Sequence, residues 1–469
     1  MARSKRVIEG LEILSVGAKG KAIARYEGKV ILVKGAVPGD VADVKVIRKR
    51  KNYEEAKVLE YKKLSKDRVD PACKHFGVCG GCKWQHLNYE KQLFYKQEEV
   101  YENIRRIGKI EPEEILPIEP SPFQYEYRNR LDFTFSNRRW FTDEEIKSKQ
   151  KFENRNALGF HLPGRFDRVI NIEACRLQKD ISNRIRNFVK KVADTNDWDY
   201  YDIKENKGFL RNLIIRTTDF TDQLMVIFSF AQYLPEEIEF LLSTLIKKFP
   251  EITTVVYFIN DKKNDTLYDL DYTVFHGEGY IIEDFEGLRF KISPKSFFQT
   301  NSRQALNMYK HVKQYAGLTG SEVVYDLYSG TGTISLFLAD KAQKVVGVES
   351  VGDAVRDAYE NAELNGVKNV DFEVGDIKDI FTDGMFAKYG KPDVVVADPP
   401  RAGMHKNVVE NLLKTEPRRI VYVSCNSATQ ARDLELLKEK YDLKLIQPFD
   451  MFPHTYHVEN IAVLELKNV

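Results

Sequence analysis

The five cysteines of the chain fall into two groups, and each group suggests its own chemistry. Cys73, Cys79, Cys82 and Cys175 have the pattern of a metal-binding set. Cys425 stands far downstream, alone at the end of an apolar run. A lone cysteine in such a run is usually a small buried hydrophobe. The motifs around Cys425 favour the alternative, a thiol that forms a covalent bond with a substrate.

The spacing of the four-cysteine set leaves three interpretations open, namely an iron–sulfur cluster, a zinc ion and plain packing. A zinc site made of four cysteines is usually built from two close CxxC pairs. Here Cys73, Cys79 and Cys82 are local and Cys175 is distant, which is closer to the spacing of cluster ligands. His75 and His86 lie nearby, and we expect them at the surface or against a nucleic acid, not on the metal.

A glycine-rich turn, Asp-Leu-Tyr-Ser-Gly-Thr-Gly at residues 326–332, follows the first predicted strand of the C-terminal region. Gly330 and Gly332 let a nucleotide approach the backbone closely, but the third glycine of a dinucleotide fingerprint is missing. Glu349 ends the second strand, where a carboxylate can accept both ribose hydroxyls, and Asp376 ends the third, near the expected adenine. The pattern favours S-adenosylmethionine (SAM) over NAD, with another nucleotide or a structural turn as alternatives.

Four further side chains converge on the ends of neighbouring strands. Asp398, in an Asp-Pro-Pro-Arg segment, closes the fourth strand, and Cys425 closes the fifth. Open α/β sheets bind their ligands at that edge, so both side chains should lie in one crevice. Glu459 precedes the last strand, and Gln299 precedes the first and offers an amide. Each alone is a weak signal, because an isolated Glu is usually a solvated charge, but together they are a strong one.

Three regions of different pattern carry these residues. Residues 1–62 show five short strands punctuated by glycines, which predicts a small OB-like β-barrel of the kind that binds oligonucleotides. Residues 63–290 mix strands with helices around the four cysteines, which predicts an α+β central domain. From residue 291 to 469 strands alternate with helices, which predicts an α/β, Rossmann-like, seven-stranded sheet. A loop without a helix joins the last two strands, so the final strand should be antiparallel.

Composition limits the class of protein. The 469 residues are 43% hydrophobic, which is enough for packed cores in two to four domains. The net charge is +2, yet residues 1–62 carry 15 Lys and Arg against 8 Asp and Glu, a net +7 that leaves −5 for the remainder. This basic segment favours a polyphosphate partner, with a solvated surface strand as the alternative. We expect no signal peptide, no membrane span, no obligatory protein partner and, from the odd cysteine count, a cytoplasmic location.

Taken together, these motifs closely resemble the RNA uracil-5-methyltransferases, which form 5-methyluridine, and in particular their iron–sulfur branch that acts on 23S ribosomal RNA. The resemblance covers essentially the whole chain. It implies a TRAM barrel at residues 8–62, a [4Fe–4S] cluster on the four N-terminal cysteines, Cys425 as the nucleophile and Glu459 as the base. The residues that would line the SAM and uridine site are Gln299, Tyr328, Glu349 and Asp398, with Gly330, Gly332 and Asp376 also counted as cofactor-binding.

The implied reaction needs each of these groups. Because C5 of uracil is too weak a nucleophile for SAM, a thiolate adds to C6 first, C5 then takes the methyl group, and a base removes the C5 proton. The target base is expected to flip out of its RNA stack. The chain departs from the family at Ser329, where many members have Cys, and at Ser427, where Pro commonly follows Cys-Asn.

Three alternative functions remain at this point. The first is a transfer-RNA uridine-5-methyltransferase. The second is a non-catalytic iron–sulfur protein that binds RNA or senses redox state, against which the presence of both Cys425 and Glu459 weighs. The third is an amino-group methyltransferase that holds its target amine with the Asp-Pro-Pro turn and needs no thiol.

Overall fold

A computed structural model describes residues 6–148 and 154–467, and the strands of these residues form four sheets. The first sheet has the order β1-β5-β6-β4-β3-β2. Its strands are β1 (Val7–Glu12), β2 (Ser15–Gly17), β3 (Lys21–Tyr26), β4 (Lys29–Lys34), β5 (Val41–Lys49) and β6 (Tyr53–Lys63), with a 3-10 turn at Ala18–Gly20. Alternate residues of β5, including Ala42, Val44 and Val46, are buried in one core, as the period of a half-buried strand requires. The predicted small all-β unit is confirmed, with β2 as a strand that was not expected.

A long helix follows the local cysteines. It is α1 (Tyr89–Asn103), and a π turn at Ile104–Gly108 extends it. Asn88 caps its amino terminus by accepting a hydrogen bond from the backbone N–H of Lys91 at 2.9 Å, as the sequence predicts. Val100 and Ile104 of this segment belong to the same apolar core as Ala431 and Leu434 near the C-terminus, so the helix packs against the C-terminal sheet region.

The central sheet has the order β10-β9-β8-β11-β12-β13-β14. Its strands are β8 (Arg130–Ser136), β9 (Ala157–Leu162), β10 (Arg165–Asn171), β11 (Leu210–Thr217), β12 (Leu224–Phe230), β13 (Thr254–Ile259) and β14 (Tyr272–His276). The helices between them are α2 (Asp143–Lys147), α3 (Asp180–Thr195) and α4 (Pro235–Lys248). A separate hairpin, β15 (Ile281–Phe285) and β16 (Leu288–Ile292), follows.

The C-terminal sheet has the order β19-β18-β17-β20-β21-β23-β22-β7. Its strands are β7 (Glu114–Ile115), β17 (Val323–Leu327), β18 (Lys344–Glu349), β19 (Val370–Val374), β20 (Val394–Ala397), β21 (Arg419–Ser424), β22 (Tyr441–Phe449) and β23 (Glu459–Leu466). The helices of this region are α5 (Ser302–Ala316), α6 (Thr333–Ala339), α7 (Gly352–Leu364), α8 (Ile377–Ile380), α9 (Asp383–Tyr389), α10 (Lys406–Thr415) and α11 (Ser427–Leu437).

The predicted Rossmann-like sheet is confirmed, including its last strand. β17, β18, β19, β20 and β21 pair in parallel, whereas β23 is antiparallel to both β21 and β22. Strands β17, β18, β20 and β21 are buried on both faces, which explains their continuous apolar runs, whereas buried and partly exposed residues alternate in the edge strand β19. Within the described residues, no helix is both long and apolar enough to cross a membrane.

The division into domains at residues 1–62, 63–290 and 291–469 stays a prediction. One strand of the second range belongs to the sheet of the third. β7 lies in the second range, yet it pairs in parallel with β22 of the third. The backbone N–H of Glu113 donates to the carbonyl of Leu443 at 2.9 Å, and that of Leu116 to the carbonyl of Ile446 at 3.0 Å. The segment that contains α1 and β7 is therefore structurally part of the C-terminal unit.

Candidate active site

The glycine-rich turn links β17 to α6 through unusual backbone conformations. Tyr328 has a φ of 68°, Gly330 of 55° and Gly332 of 78°. A non-glycine residue in this left-handed region is strained, and such strain concentrates at functional sites. A Cβ on Gly332 would lie 2.8 Å from Cζ of Phe372, whereas a Cβ on Gly330 would meet nothing within 4 Å. The turn thus needs glycine at residue 332 for packing and leaves open space beside residue 330.

Glu349 lies at the end of β18, next to this turn. One of its carboxylate oxygens accepts a hydrogen bond from the backbone N–H of Gly330 at 3.1 Å, and the other accepts from Ser350 and Val351 at 3.0 and 2.9 Å. Asp376 follows β19 and is more exposed, and its pKa is held low chiefly by the ammonium of Lys378. The predicted SAM residues therefore line the carboxyl ends of three adjacent strands, as the sequence predicts.

Cys425 directly follows β21 and precedes α11. Asn426 caps that helix and donates through Nδ2 to the carbonyl of Arg401 at 3.0 Å. Thr429 also donates to this carbonyl, at 3.2 Å. These bonds tie the start of α11 to the loop after Asp398. Ser427, the departure from Cys-Asn-Pro, is the first residue of α11, a position where Pro is favoured but not required.

Glu459 faces Cys425 because of the register of β21 and β23. Ser424 and Asn460 are direct Cα partners in this antiparallel pair. In an antiparallel pair the next residue of one strand lies opposite the previous residue of the other, so Cys425 and Glu459 are neighbours across the sheet. Gln430 of α11 braces the same place, because its Nε2 donates to the carbonyl of Tyr422 at 2.9 Å and its Oε1 accepts from Asn460 at 2.8 Å.

Two further carboxyl groups, Asp398 and Asp326, lie close to this pair. Burial raises the pKa of Asp398 to about 7, and burial together with Asp398 raises the pKa of Glu459 well above its usual range. Burial also raises the pKa of Asp326 to about 7, against a hydrogen bond of 2.6 Å from the Ser335 hydroxyl. Such a cluster favours its neutral form in the empty site and favours ionisation beside a cation, and the sulfonium of SAM is a cation.

The thiol of Cys425 responds to the same surroundings. Burial, followed by the carboxyls of Glu459 and Asp398, raises the pKa of this thiol to about 11. The guanidinium of Arg401, which lies beside it, opposes the rise. The thiolate is the nucleophilic form of a cysteine, so positive charge near this thiol would favour its reactive state.

The segment that contains Gln299 is held by the central sheet. Asn129 donates through Nδ2 to the carbonyl of Gln299 at 2.7 Å, and its backbone N–H donates to the carbonyl of Thr300 at 2.8 Å. Arg216 of β11, which is buried, donates to the carbonyls of Ser293 and Ser296, both at 2.7 Å. The central region therefore fixes the backbone on which Gln299 is presented.

The four N-terminal cysteines line one cavity of about 790 Å³, together with Phe297, Phe298 and Thr300 from the Gln299 segment. Cys175 follows β10, and the backbone N–H of Glu173, two residues before it, donates to His75 Nε2 at 3.1 Å. This bond joins the distant cysteine to the local ones. Among the described residues, five lining side chains are cationic and one, Asp132, is a carboxylate.

The four cysteines are partly buried, and hydrogen-bond donors face three of their sulfur atoms. Cys82 Sγ accepts from the Gln85 amide at 3.1 Å, and backbone N–H groups of Gly81 and Leu177 face the sulfurs of Cys79 and Cys175. Burial raises the pKa of Cys79 to about 11 and that of Cys82 to about 12, so these thiols need a nearby cation to ionise. Hydrogen bonds to thiolates are typical of cluster sites, so the donor set fits the predicted group.

No three His, Cys, Asp or Glu side chains of the described residues are placed to hold a single metal ion. Four thiolates around one zinc must lie within about 4 Å of one another, because each Zn–S bond is about 2.3 Å. A cluster of four irons spreads its thiolates more widely. The convergence of the cysteines is therefore an observation, and the identity of the group that they bind stays a prediction.

The structure brings the predicted residues into two places: the strand ends, and the cysteine cavity that adjoins the Gln299 segment. The sequence motifs assign no role to Arg401, Asp326 or Tyr309, although all three lie at the site formed by the strand ends. The phenol of Tyr309 on α5 lies near Asp398, Asp326 and Glu459, and its pKa is raised well above its usual range by burial and these carboxyls. An aromatic residue on the buried face of a helix carries no sequence signal that separates it from core packing.

Known proteins of similar sequence and structure extend these observations. Residues 275–467 match the tRNA (Uracil-5-)-methyltransferase family, and residues 8–59 match the TRAM domain. The chain is 53% identical to an uncharacterized RNA methyltransferase of Bacteroides thetaiotaomicron, over 96% of this chain and 100% of the relative. It is 46% identical to an uncharacterized RNA methyltransferase of Porphyromonas gingivalis, over 97% and 99%.

A solved structure has the same architecture throughout. It is the tRNA (uracil-54, C5)-methyltransferase of Pyrococcus abyssi in complex with S-adenosyl-L-homocysteine. The two chains share 30% identity with a TM-score of 0.75, over 97% of this chain and 100% of the other. The sheet, its strand-end site and these relatives define the class as a SAM-dependent RNA methyltransferase. More narrowly, the chain belongs to the tRNA (uracil-5-)-methyltransferase family and carries a TRAM domain.

Proposed function

We propose that the enzyme methylates C5 of a uridine in 23S ribosomal RNA through a covalent bond between Cys425 and C6, in the cytoplasm. The observation that carries the mechanism is the register that sets Cys425 opposite Glu459 across β21 and β23. An amino-group methyltransferase needs neither of these residues. A binding protein without turnover would have no use for a thiol and a buried carboxyl at one strand edge.

The reaction proceeds in three steps: addition, methyl transfer and elimination. The Cys425 thiolate adds to C6, and the C5–C6 electron pair moves toward the O4 carbonyl, which leaves an enolate with nucleophilic C5. C5 then bonds to the methyl carbon of SAM, and the S–CH₃ bond breaks. Glu459 takes the C5 proton, the C5–C6 double bond reforms, and the Cys425–C6 bond breaks to return the thiolate. Gln299 would orient the uracil through its amide.

The charges in the site determine the order of SAM binding and ionisation in this reaction. Burial raises the pKa of both Cys425 and Glu459, and neighbouring carboxyls raise it further, so both groups favour their neutral forms. SAM supplies a positive sulfonium when bound. Positive charge near these groups lowers their pKa values and makes the thiolate and the carboxylate available together. Nucleophile and base are therefore prepared only when the methyl donor is present.

We also propose that Cys73, Cys79, Cys82 and Cys175 hold a [4Fe–4S] cluster. The support is their convergence on one cavity and the donors that face their sulfurs. The cluster would supply fixed positive iron centres that keep the thiolates ionised and cross-link distant parts of the chain.

The chemistry of the same cavity supports an RNA partner. Its cationic lining suits phosphates, and the ring of Phe297 is 65% exposed beside it, as a stacking surface for an unpaired base. Ribosomal RNA is favoured over transfer RNA by the four-cysteine set. Transfer RNA is the second candidate, because the matched family and the Pyrococcus abyssi enzyme carry transfer RNA in their names.

The test combines trapping with mapping. RNA with 5-fluorouridine at the target should trap the wild-type enzyme covalently, because fluorine cannot leave as a proton does, and Cys425→Ala should fold, bind SAM and form no adduct. Mapping of 5-methyluridine in cells that lack the protein should show its loss from 23S ribosomal RNA. Loss from transfer RNA instead would replace the substrate assignment. Absence of trapping on a confirmed substrate would overturn the covalent mechanism.

A further inference from the structure

The connection between β22 and β23, residues 450–458, ends at Glu459 and is held from outside the C-terminal sheet. The backbone N–H of Asp450 donates to the carbonyl of Glu119 at 2.9 Å, and Asn301 donates to the carbonyl of Met451 at 3.0 Å. The hydroxyl of Tyr127 donates to the carbonyl of Pro453 at 3.1 Å. Bonds from earlier parts of the chain thus fix consecutive residues of this connection.

Helix α1 provides the strongest of these contacts. Lys96 and Asp450 are both fully buried, and the Lys96 ammonium lies 2.5 Å from Oδ1 of Asp450. The same ammonium donates to the carbonyl of Phe452 at 3.1 Å. Lys96 therefore holds two positions of the connection at once, one through a side chain and one through the backbone.

A second side chain of α1 holds the next part of the connection. Gln92 accepts from the backbone N–H of His454 at 2.9 Å, and its Nε2 lies 3.3 Å from Nδ1 of the same histidine. His454 has a φ of 64°, a strained conformation that these bonds must stabilise. Its carbonyl accepts the backbone N–H groups of Lys83 and Trp84, at 2.7 and 3.0 Å, directly after Cys82.

The register transmits these constraints to the proposed base. Phe449, just before Asp450, is the direct Cα partner of Glu459 in the β22–β23 pair. A shift of the connection at residues 450–452 therefore moves the point at which β23 begins. Buried ion pairs contribute little net stability compared with apolar pairs of the same volume, so their value lies in fixing one arrangement.

We propose that Lys96 is a positioning residue that holds the β22–β23 connection so that Glu459 faces Cys425. The proposal rests on the proposed function, in which Glu459 removes the C5 proton. Lys96 touches neither the RNA base nor SAM in this scheme. Its loss should leave thiolate addition and methyl transfer intact and slow the step that needs the carboxylate in place.

The test uses Lys96→Met and the double variant Lys96→Met/Asp450→Leu, assayed with ordinary, unfluorinated RNA. Misplacement of a catalytic group by about 1 Å lowers turnover about 100-fold. Both variants should lose turnover on this scale, bind SAM as wild type does, and accumulate an RNA–protein adduct that already carries the new methyl group. The double variant has no orphaned buried charge, so it should unfold at nearly the wild-type temperature and decides the question if Lys96→Met does not fold.

The matched control is Lys109→Met. Lys109 also pairs with a carboxylate of the C-terminal unit, that of Glu435 on α11 at 2.7 Å, but this pair is exposed. Its variant should turn over at the wild-type rate. Wild-type turnover by the double variant would overturn the positioning role. The positioning role would also be overturned if the double variant lost turnover without accumulating an adduct while Glu459→Gln did accumulate one. Normal turnover by Glu459→Gln would instead remove the base assignment, and the inference with it.

Discussion

The thiol of Cys425, the proposed nucleophile, and the carboxyl of Glu459, the proposed base, both have raised pKa values that favour their neutral forms. The pKa of Cys425 is raised to about 11 and that of Glu459 well above its usual range, first by burial and then by neighbouring carboxyls. A thiol with such a pKa is protected from adventitious oxidation and alkylation. The proposed nucleophile is therefore present in the protein before it is ionised to its reactive form.

The first prediction concerns the pH dependence of this thiol. Alkylation of Cys425 in the free protein should rise about tenfold per pH unit between pH 7 and 9, because the thiolate fraction does so well below the pKa. SAM should accelerate alkylation, and Arg401→Ala should slow it at each pH. Mass spectrometry of the Cys425 peptide measures the rate. A rate that does not change over this range would mean that the thiolate is already formed.

The second prediction separates the two halves of the reaction. Glu459→Gln removes the proton acceptor but keeps the shape of the side chain, so methyl transfer should proceed and elimination should stall. The variant should accumulate a methylated covalent adduct with ordinary RNA, visible on a denaturing gel. Cys425→Ala should show none. Turnover near the wild-type rate would leave water or Asp398 as the next candidate base.

Single residues also mark how far the site can be predicted from the sequence. Cys425, Asp398 and Glu349 follow apolar strands directly, so their position at the ligand-binding edge is predictable. The role of Arg401 is not, because an arginine after Asp-Pro-Pro shows no partner until α11 folds back on its loop. Lys96 looks like any polar residue of an amphipathic helix, since its partner Asp450 lies 354 residues away.

At the scale of elements, the turn between β17 and α6 combines two different needs for glycine. The Cβ position of Gly332 is blocked by Phe372 and by Ala358, at 2.8 and 3.0 Å. That of Gly330 is open. One glycine therefore serves packing, and the other leaves room beside Glu349, where the nucleotide is expected.

The third prediction follows from this contrast. Gly332→Ala should destabilise the protein by about 2–4 kcal/mol, the sum of backbone strain and overpacking. Gly330→Ala should cost only about 1 kcal/mol of strain but weaken SAM binding. Denaturant unfolding and calorimetric titration with SAM give the two quantities. An equal loss of stability in both variants would contradict the assignment of separate roles.

Helices and strands could be predicted from the sequence where glycine positions and the hydrophobic pattern of their own residues mark them. The sequence predicts a helix at Gly352–Leu364 and strands at Arg130–Ser136 and Leu224–Phe230, and α7, β8 and β12 have these bounds in the structure. β23 was expected to be antiparallel since no helix precedes it. β7 is invisible in the sequence, because two residues show no periodicity and their pairing with β22 is decided by the packing of α1.

At the scale of the whole molecule, the cysteine cavity is a junction. It is lined by the local cysteines, by strands β8 and β9, by the segment around Cys175 and by the segment before α5. The backbone after Cys82 also reaches the connection that leads to Glu459, through the carbonyl of His454. A group bound there would hold together parts of the chain that share no sheet.

The fourth prediction concerns that group. Protein purified without oxygen should be brown and contain about four irons per chain. Cys175→Ser should lose iron and lower the unfolding temperature, because the distant ligand closes the cross-link. Cys425→Ser, which changes the one cysteine outside the cavity, should keep its iron. A colourless protein with one zinc per chain would refute the cluster.

The pairing of Lys96 with Asp450 also sets an order of assembly during synthesis. At about 5–20 residues per second, the ribosome makes the second partner on the order of 20–70 s after the first. During that interval Lys96 of α1 has no counter-ion, because Asp450 has not yet been made, and β7 has no partner strand, because β22 has not yet been made. The strands of the N-terminal sheet are made early, whereas the C-terminal sheet is complete only after β22 and β23 have been made. A chain cut short before residue 450 would contain Cys425 but lack both Asp450 and Glu459, the proposed base.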